Sequence, residues 1–152
     1  AAQTVVRCLG GRRLRRAHTL SPHHARRPVL RTGGGDLGGE EKMADIPDLT
    51  AVDRLDEASL LKILSDRYAQ DLPYTYIGPI LVALNPLKPL ADYGEQAASR
   101  YRKAASRADV APHIYRVAHE CFAEMVDERM NQSVVVSGES GAGKTETTKH
   151  VV

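Results

Sequence analysis

Hydrophobic positions along the chain recur with two different periods. Leu60, Leu61, Ile63, Leu64 and Tyr68 follow the three- and four-residue spacing of a helix with one buried stripe. Asp56 is the matching N-cap, and Glu57 places negative charge in the first turn, where the helix dipole favours it. A second stripe, Ile114, Val117, Ala118, Cys121, Phe122 and Met125, has the same spacing, with Arg116, Glu120, Glu124, Asp127 and Glu128 elsewhere around the wheel. Pro112 fits the first position of that helix. Two shorter runs do not alternate. Residues 80–84 (Ile-Leu-Val-Ala-Leu) and the valines 134–136 read as strands buried on both faces, which need helices on each side. Pro79 is tolerable at a strand entrance, and Asn85-Pro86 ends the strand because proline cannot donate to a ladder. Pro73 stops the first helix, and a polar connection over 87–111 contains an Ala/Arg-rich piece expected to be helical over 97–108. The order is helix, strand, polar loop, helix, strand, glycine loop, helix. That alternation is α/β, with the ligand end at the C-terminus of a sheet strand.

The glycine loop carries the chemistry. Gly138, Glu139, Ser140, Gly141, Ala142, Gly143, Lys144 and Thr145 place two glycines five apart, followed directly by Lys-Thr. Strand before and helix after are the required setting. Gly141 and Gly143 lack a Cβ, so their N–H groups can close on phosphate oxygens. The helix from Lys144 adds unpaired N–H groups and the positive end of its dipole. Lys144 would reach the β- and γ-phosphates, and the Thr145 hydroxyl would ligate Mg²⁺. The competing reading is a plain left-handed glycine turn between strand and helix.

Charge divides the chain. Residues 1–42 carry nine Arg/Lys against three acids, net +6, and 43–152 carry twelve against sixteen, net −4. A mildly acidic ordered part argues against nucleic acid as a partner. Seven of the twelve glycines fall in residues 1–42, between Arg-rich runs, so this segment is expected to be disordered. It reads as a solvated basic tail. Two other readings are an organelle transit segment, which Pro22 and Pro28 interrupt, and translated sequence upstream of a start at Met43. Cys8 and Cys121 lie in unrelated regions and suggest neither a disulfide framework nor a metal cluster, which points to a reducing compartment. Cys121, on the helical stripe, reads as a small buried hydrophobe, and His113 and His119 as surface or cap residues. The longest apolar run is five residues (80–84), too short to span a bilayer.

The string from Gly138 to Glu146 resembles the phosphate loop of myosin motor heads; kinesins and most other phosphate-loop proteins lack the Glu139-Ser140 pair after the first glycine. Further stretches resemble that family in the same order. They are Leu55-Asp56-Glu57-Ala58-Ser59-Leu60-Leu61, Tyr74-Thr75-Tyr76-Ile77-Gly78 through Leu84-Asn85-Pro86, Pro112-His113-Ile114-Tyr115, and Asn131-Gln132-Ser133. The resemblance covers residues 48–152. It implies a phosphate-loop NTPase fold of the myosin motor type, cut after the phosphate loop. Residues 43–152 would be the N-terminal part of the motor domain. Asn85, Pro86 and Tyr93 would form the purine pocket, with Asn85 offering its amide to base or sugar and Tyr93 a ring face and a hydroxyl. Ser140 would lie near the γ-phosphate and the attacking water, making Lys144 and Ser140 the catalytic pair. Glu139 and Glu146 would be structural, because bare carboxylates oppose phosphate.

Two departures stand out. Leu87 stands where many myosins place an aromatic, and Pro89 where some have a basic residue. Residues 1–42 do not resemble the small β-barrel of conventional heads, which favours an unconventional class. Switch loops, converter, lever and actin-binding cleft would lie beyond Val152. The implied whole is a cytoplasmic, cytoskeleton-associated motor that hydrolyses MgATP and moves on actin filaments, with light chains or calmodulin on its lever. The rival functions are a nucleotide-holding tether without turnover, and another phosphate-loop kinase or GTPase.

Overall fold

The structure, a computed structural model, describes residues 3–10 and 46–152. The first expected helix is present as α1 (Glu57–Ala69), with the Asp56 carboxylate accepting from the Ser59 N–H at 2.8 Å. Its buried side is Ile63, Leu64 and Arg67, whereas Leu61, expected in the stripe, is 60% exposed. Two strands follow, β2 (Tyr74–Ile77) and β3 (Ile80–Leu84), paired antiparallel as a hairpin. Gly78 makes the turn at φ +56°, a conformation that glycine adopts without a Cβ penalty. The Ala/Arg-rich piece forms α2 (Glu95–Lys103), and a separate 3₁₀ turn over Arg107–Asp109 is started by Ser106, whose side chain accepts from Ala108 N–H. One helix was expected through 108; this cap divides the segment.

The second stripe forms α3 (Ile114–Asp127). His113 is its N-cap, its ring nitrogen accepting from Tyr115 N–H at 3.1 Å. The cap expectation is met, but His113 is buried, not superficial. Ile114, Val117 and Cys121 face the core, while Phe122 and Met125 are 60% and 40% exposed. The buried stripe is narrower than the sequence suggests. Its flank is closed by ions: Glu120 accepts from Arg107 at 2.9 Å and from Arg116 at 3.0 Å, and Arg116 also donates to Ala104 O at 2.7 Å. Burial alone would raise the Glu120 carboxyl, but the two guanidinium groups outweigh it and hold it below its ordinary value. The chain then enters β4 (Gln132–Gly138) and α4 (Lys144–Lys149).

The segment expected to be disordered supplies a strand. β1 (Gln3–Gly10) lies inside the sheet, whose order is β2-β3-β1-β4, and pairs antiparallel with both β3 and β4. The rest of the 1–42 expectation falls outside the described residues. Val5-Val6 has the β-branched composition of a strand, but its partners lie some 75 and 130 residues away in sequence, so no local pattern announces it. The insertion also corrects the fold class. Helices and strands do not strictly alternate, since β2 is followed by β3 and α2 by α3, and all neighbouring described strands are antiparallel, so the described part is a mixed helix and antiparallel sheet. The reading of unconnected cysteines is corrected too. Cys8 on β1 and Cys121 on α3 are joined by a disulfide, with Cα atoms 6.1 Å apart, which removes the ground for inferring a reducing compartment.

The core sits between the sheet and α3: Val6, Tyr74, Tyr76, Leu81 and Ala83 pack with Ile114, Val117 and Cys121. On the opposite face of the hairpin, Thr75 and Val82 are buried, and Arg67 of α1 donates to Thr75 Oγ1 at 3.0 Å and to Tyr74 O at 2.8 Å. Residues 81–84 of β3 are therefore buried on both faces, as the run predicted. β4 is not. Val134 and Val136 are half-buried against the core, but Val135 is 48% exposed, so one face of this strand is open. No described helix is long and apolar enough to cross a membrane.

Candidate functional site

Strand direction assembles the site. β3 and β4 both run opposite to β1, so they run the same way and end at the same end of the sheet. Leu84 pairs with Gln3 and Gly138 with Thr4, which sets Asn85 and the glycine loop at neighbouring exits, two strand spacings or about 10 Å apart.

The loop is held by backbone-directed bonds. Gly141 and Gly143 have φ +79° and +89°, a backbone that glycine adopts without a Cβ penalty and that both the phosphate-loop reading and the plain glycine turn allow. A Cβ on Gly138 would lie 2.5 Å from Gln3 O, so β1 requires glycine there. Thr4 Oγ1 donates to Ala142 O at 2.8 Å, and Ala142 N–H to Glu139 O at 3.2 Å. Ala142 is buried, whereas Glu139, Ser140 and Thr145 are exposed. Lys144 folds back across the loop, its ammonium donating to Gly138 O at 2.8 Å and Glu139 O at 2.7 Å. The N–H groups of Lys144, Thr145 and Glu146 open α4 and have no intrahelical acceptor.

Asn85 ties the two exits together. Its Nδ2 donates to Gly141 O at 3.0 Å, and its Oδ1 accepts from Leu87 N–H at 3.0 Å. One N–H and one lone pair of the amide are engaged within the protein, so Asn85 joins the loops while a second N–H and a second lone pair remain on the same group. Beside it lies a cavity of about 370 Å³ lined by Tyr74, Asn85, Pro86, Leu90, Tyr93, Gly143, Glu146, Thr147 and His150, among others. That volume is within the usual range for small-molecule sites. Asn85, Pro86, Tyr93, Ala142 and Gly143 are thus brought to one cavity. Lys144 and Thr145 are on the other side of α4, against an open depression with Val136 and Thr148.

Tyr93 belongs to a ring cluster. Its hydroxyl shares a 2.8 Å hydrogen bond with that of Tyr74, and its ring stacks on His150 with centroids 4.5 Å apart. Burial pushes both phenols up, Tyr74 more than Tyr93. His113 stacks on Tyr101 at 4.7 Å, and burial lowers its pKa to about 4, keeping the imidazole neutral. Sequence reasoning missed Lys88, Leu90, Thr147 and His150 among the cavity residues; of these Thr147 and His150 follow Gly143 at +4 and +7, and Glu146, read there as structural, at +3. That is one face of a helix, and the spacing alone could have found it.

These features define a class first: a mixed helix-and-sheet domain whose candidate site is built on a strand, a glycine loop and a helix. Residues 46–152 match the model of the myosin head (motor domain), and the chain belongs to that family. Myosin-4 of Arabidopsis thaliana is 47% identical over 112 residues, covering 74% of this chain and 10% of that protein. Myosin type-2 heavy chain 2 of Schizosaccharomyces pombe is 42% identical over 107 residues, 70% of this chain and 5% of that one. Unconventional myosin-XV of Homo sapiens is 40% identical over 107 residues, 70% of this chain and 3% of that one. The chain spans a tenth or less of the length of these relatives.

Proposed function

We propose that residues 43–152 form the ATP-binding opening of an actin-based cytoskeletal motor, an ATPase that couples MgATP hydrolysis to movement on actin filaments. The observation that carries this reading is that Ala142 and Gly143 of the glycine loop meet Asn85, Pro86 and Tyr93 around one cavity, with Lys144 and Thr145 following directly on α4. The residues present suit a nucleoside triphosphate with Mg²⁺. The exposed loop offers one ammonium, three helix-opening N–H groups and the Thr145 hydroxyl, all donors or hard-cation ligands. Mg²⁺ supplies neutralisation of phosphate charge when bound. Lys144 would exchange its two carbonyl acceptors for β- and γ-phosphate oxygens, and Thr145 would turn its hydroxyl to the metal. Gly138, Glu139, Ser140, Gly141, Ala142 and Gly143 would wrap the phosphates through the main chain, with Ser140 near the γ-phosphate and the attacking water. Asn85, Pro86 and Tyr93 would wall the base. Actin, and light chains or calmodulin, would be met by other parts of the motor, in the cytoplasm on the cytoskeleton. The 152-residue chain alone would be catalytically silent, because β4 leaves Val135 uncovered and its loop without support on that face.

The test is Lys144→Ala in the full motor protein, titrated with fluorescent ATP. A lost charge-assisted contact is worth roughly 1.5–3 kcal/mol, so affinity should fall at least about tenfold. Unchanged affinity would remove the phosphate-loop assignment.

A further inference from the structure

We propose that the Cys8–Cys121 disulfide is a reversible thiol-exchange site that regulates the glycine loop, an inference that rests on the cytoplasmic nucleotide-binding reading above. Small thiols of the glutathione class keep cytoplasmic cysteines reduced, and a disulfide that forms there is characteristically transient and redox-sensing. Three observations suit the pair to that use. Its Cα atoms are 6.1 Å apart, inside the bridging range, so the bond can open and close without moving β1 or α3. Cys8 is half-buried and Cys121 buried, so Cys8 offers an incoming thiolate the more accessible sulfur. Gln132 Oε1 stands 3.7 Å from Cys8 Sγ; a disulfide has no hydrogen to give it, and a thiol has.

Two external thiols balance the exchange. The first, as thiolate, attacks Cys8 Sγ; the S–S bond breaks and its electron pair leaves on Cys121 Sγ, which takes up the proton that thiol gave away. The second attacks the external sulfur of the mixed disulfide and releases Cys8, which is protonated in the same way. The protein gains two electrons and two protons, and the external thiols depart as their own disulfide. What the bond controls is β1. Thr4, four residues before Cys8, donates its hydroxyl to Ala142 O at 2.8 Å, and Gln3 O packs against Gly138. Among the described residues, β1 alone joins β3 to the strand that carries the glycine loop. Tying β1 to α3, across a sequence separation of 113, removes open conformations from that strand. Once the bond is cut, β1 is held by pairing and burial alone, and each local opening withdraws the Thr4 bond from the loop.

The test poises the full motor protein in oxidised or in reduced glutathione and reads amide hydrogen exchange over residues 3–10 and 138–143 together with MgATP affinity. We expect reduction to speed exchange in both segments by about tenfold or more and to weaken MgATP binding by about threefold or more, both reversed on reoxidation. Cys8→Ser leaves a donor for Gln132 and should match the reduced protein in either buffer. Exchange that ignores the buffer, a Cys8→Ser variant that still responds to it, or an affinity that stays constant while exchange moves would overturn the inference and leave the nucleotide site in place. Exchange that follows the buffer in a protein that binds MgATP in neither state would overturn the nucleotide reading and keep the thiol-exchange site.

Discussion

The two halves of the sheet are built differently. In the β2–β3 hairpin half, residues 81–84 are buried on both faces, closed by α3 on one side and α1 on the other. In the β1–β4 half, only alternate residues of β4 reach the core, and Val135, Ser133 and Ser137 stay exposed. The hairpin half holds its shape by burial. The half that carries the glycine loop holds its shape by specific bonds, from Thr4 to Ala142 and from Asn85 to Gly141. A loop fixed by a few replaceable hydrogen bonds can rearrange around a ligand at little cost, whereas a close-packed strand cannot.

That contrast can be broken by measurement. The largest effect is expected from Leu81→Ala in the fully buried strand, at about 2–5 kcal/mol in urea unfolding followed by circular dichroism. A loss under about 1 kcal/mol would mean that the hairpin half is as loosely covered as the other. Next comes acid sensitivity from His113, also in the closed half. Burial lowers its pKa to about 4, while an unfolded histidine titrates near 6.5. Between those values the unfolded chain binds the extra proton. Stability should therefore fall as pH drops from about 6.5 to 4, by about 3 kcal/mol in all. His113→Asn keeps a capping acceptor and should flatten this slope above about pH 5.5, a unit above the ordinary carboxyl value of Glu120 and so clear of its contribution. A slope unchanged in the variant would place the titrating group elsewhere. The smallest effect is expected at Val135→Thr on the open face, within about 0.5 kcal/mol. A larger loss would show that this face is covered in solution.

Much of the closed half was legible from local pattern. The Asp56 cap, the α1 and α3 periods and the 80–84 run each translate into the element expected, because cap, stripe and strand are set by neighbours in sequence. The turn between β4 and α4 was legible for the same reason, because its glycines stand where the backbone takes positive φ. What escaped is non-local. β1 is defined by partners on β3 and β4, and the disulfide between Cys8 and Cys121 exists only because β1 lies beneath α3. The site was half legible. The sequence pointed to Asn85 and Tyr93, and the structure sets them by one cavity, yet their polar groups are bonded to Gly141, Leu87 and Tyr74. Which groups remain free in a cavity is a property of the packed state, and no spacing encodes it.

The Asn85 bridge has a mechanical consequence. Leu87 sits at φ +54°, a left-handed conformation uncommon for a residue with a side chain, and its N–H is bonded to Asn85 Oδ1 at 3.0 Å. The other end of the same planar amide grips Gly141 O. Strand exit, glycine loop and Leu87 are therefore three bodies on one stiff link, and the amide plane is too rigid to stretch. If the glycine loop shifts by more than a hydrogen bond's reach, the link either carries Leu87 with it or lets go, and a released Leu87 relaxes to an ordinary backbone angle. Because that side chain is 82% exposed, a shift of the glycine loop that reached Leu87 would change the apolar relief of the outer surface.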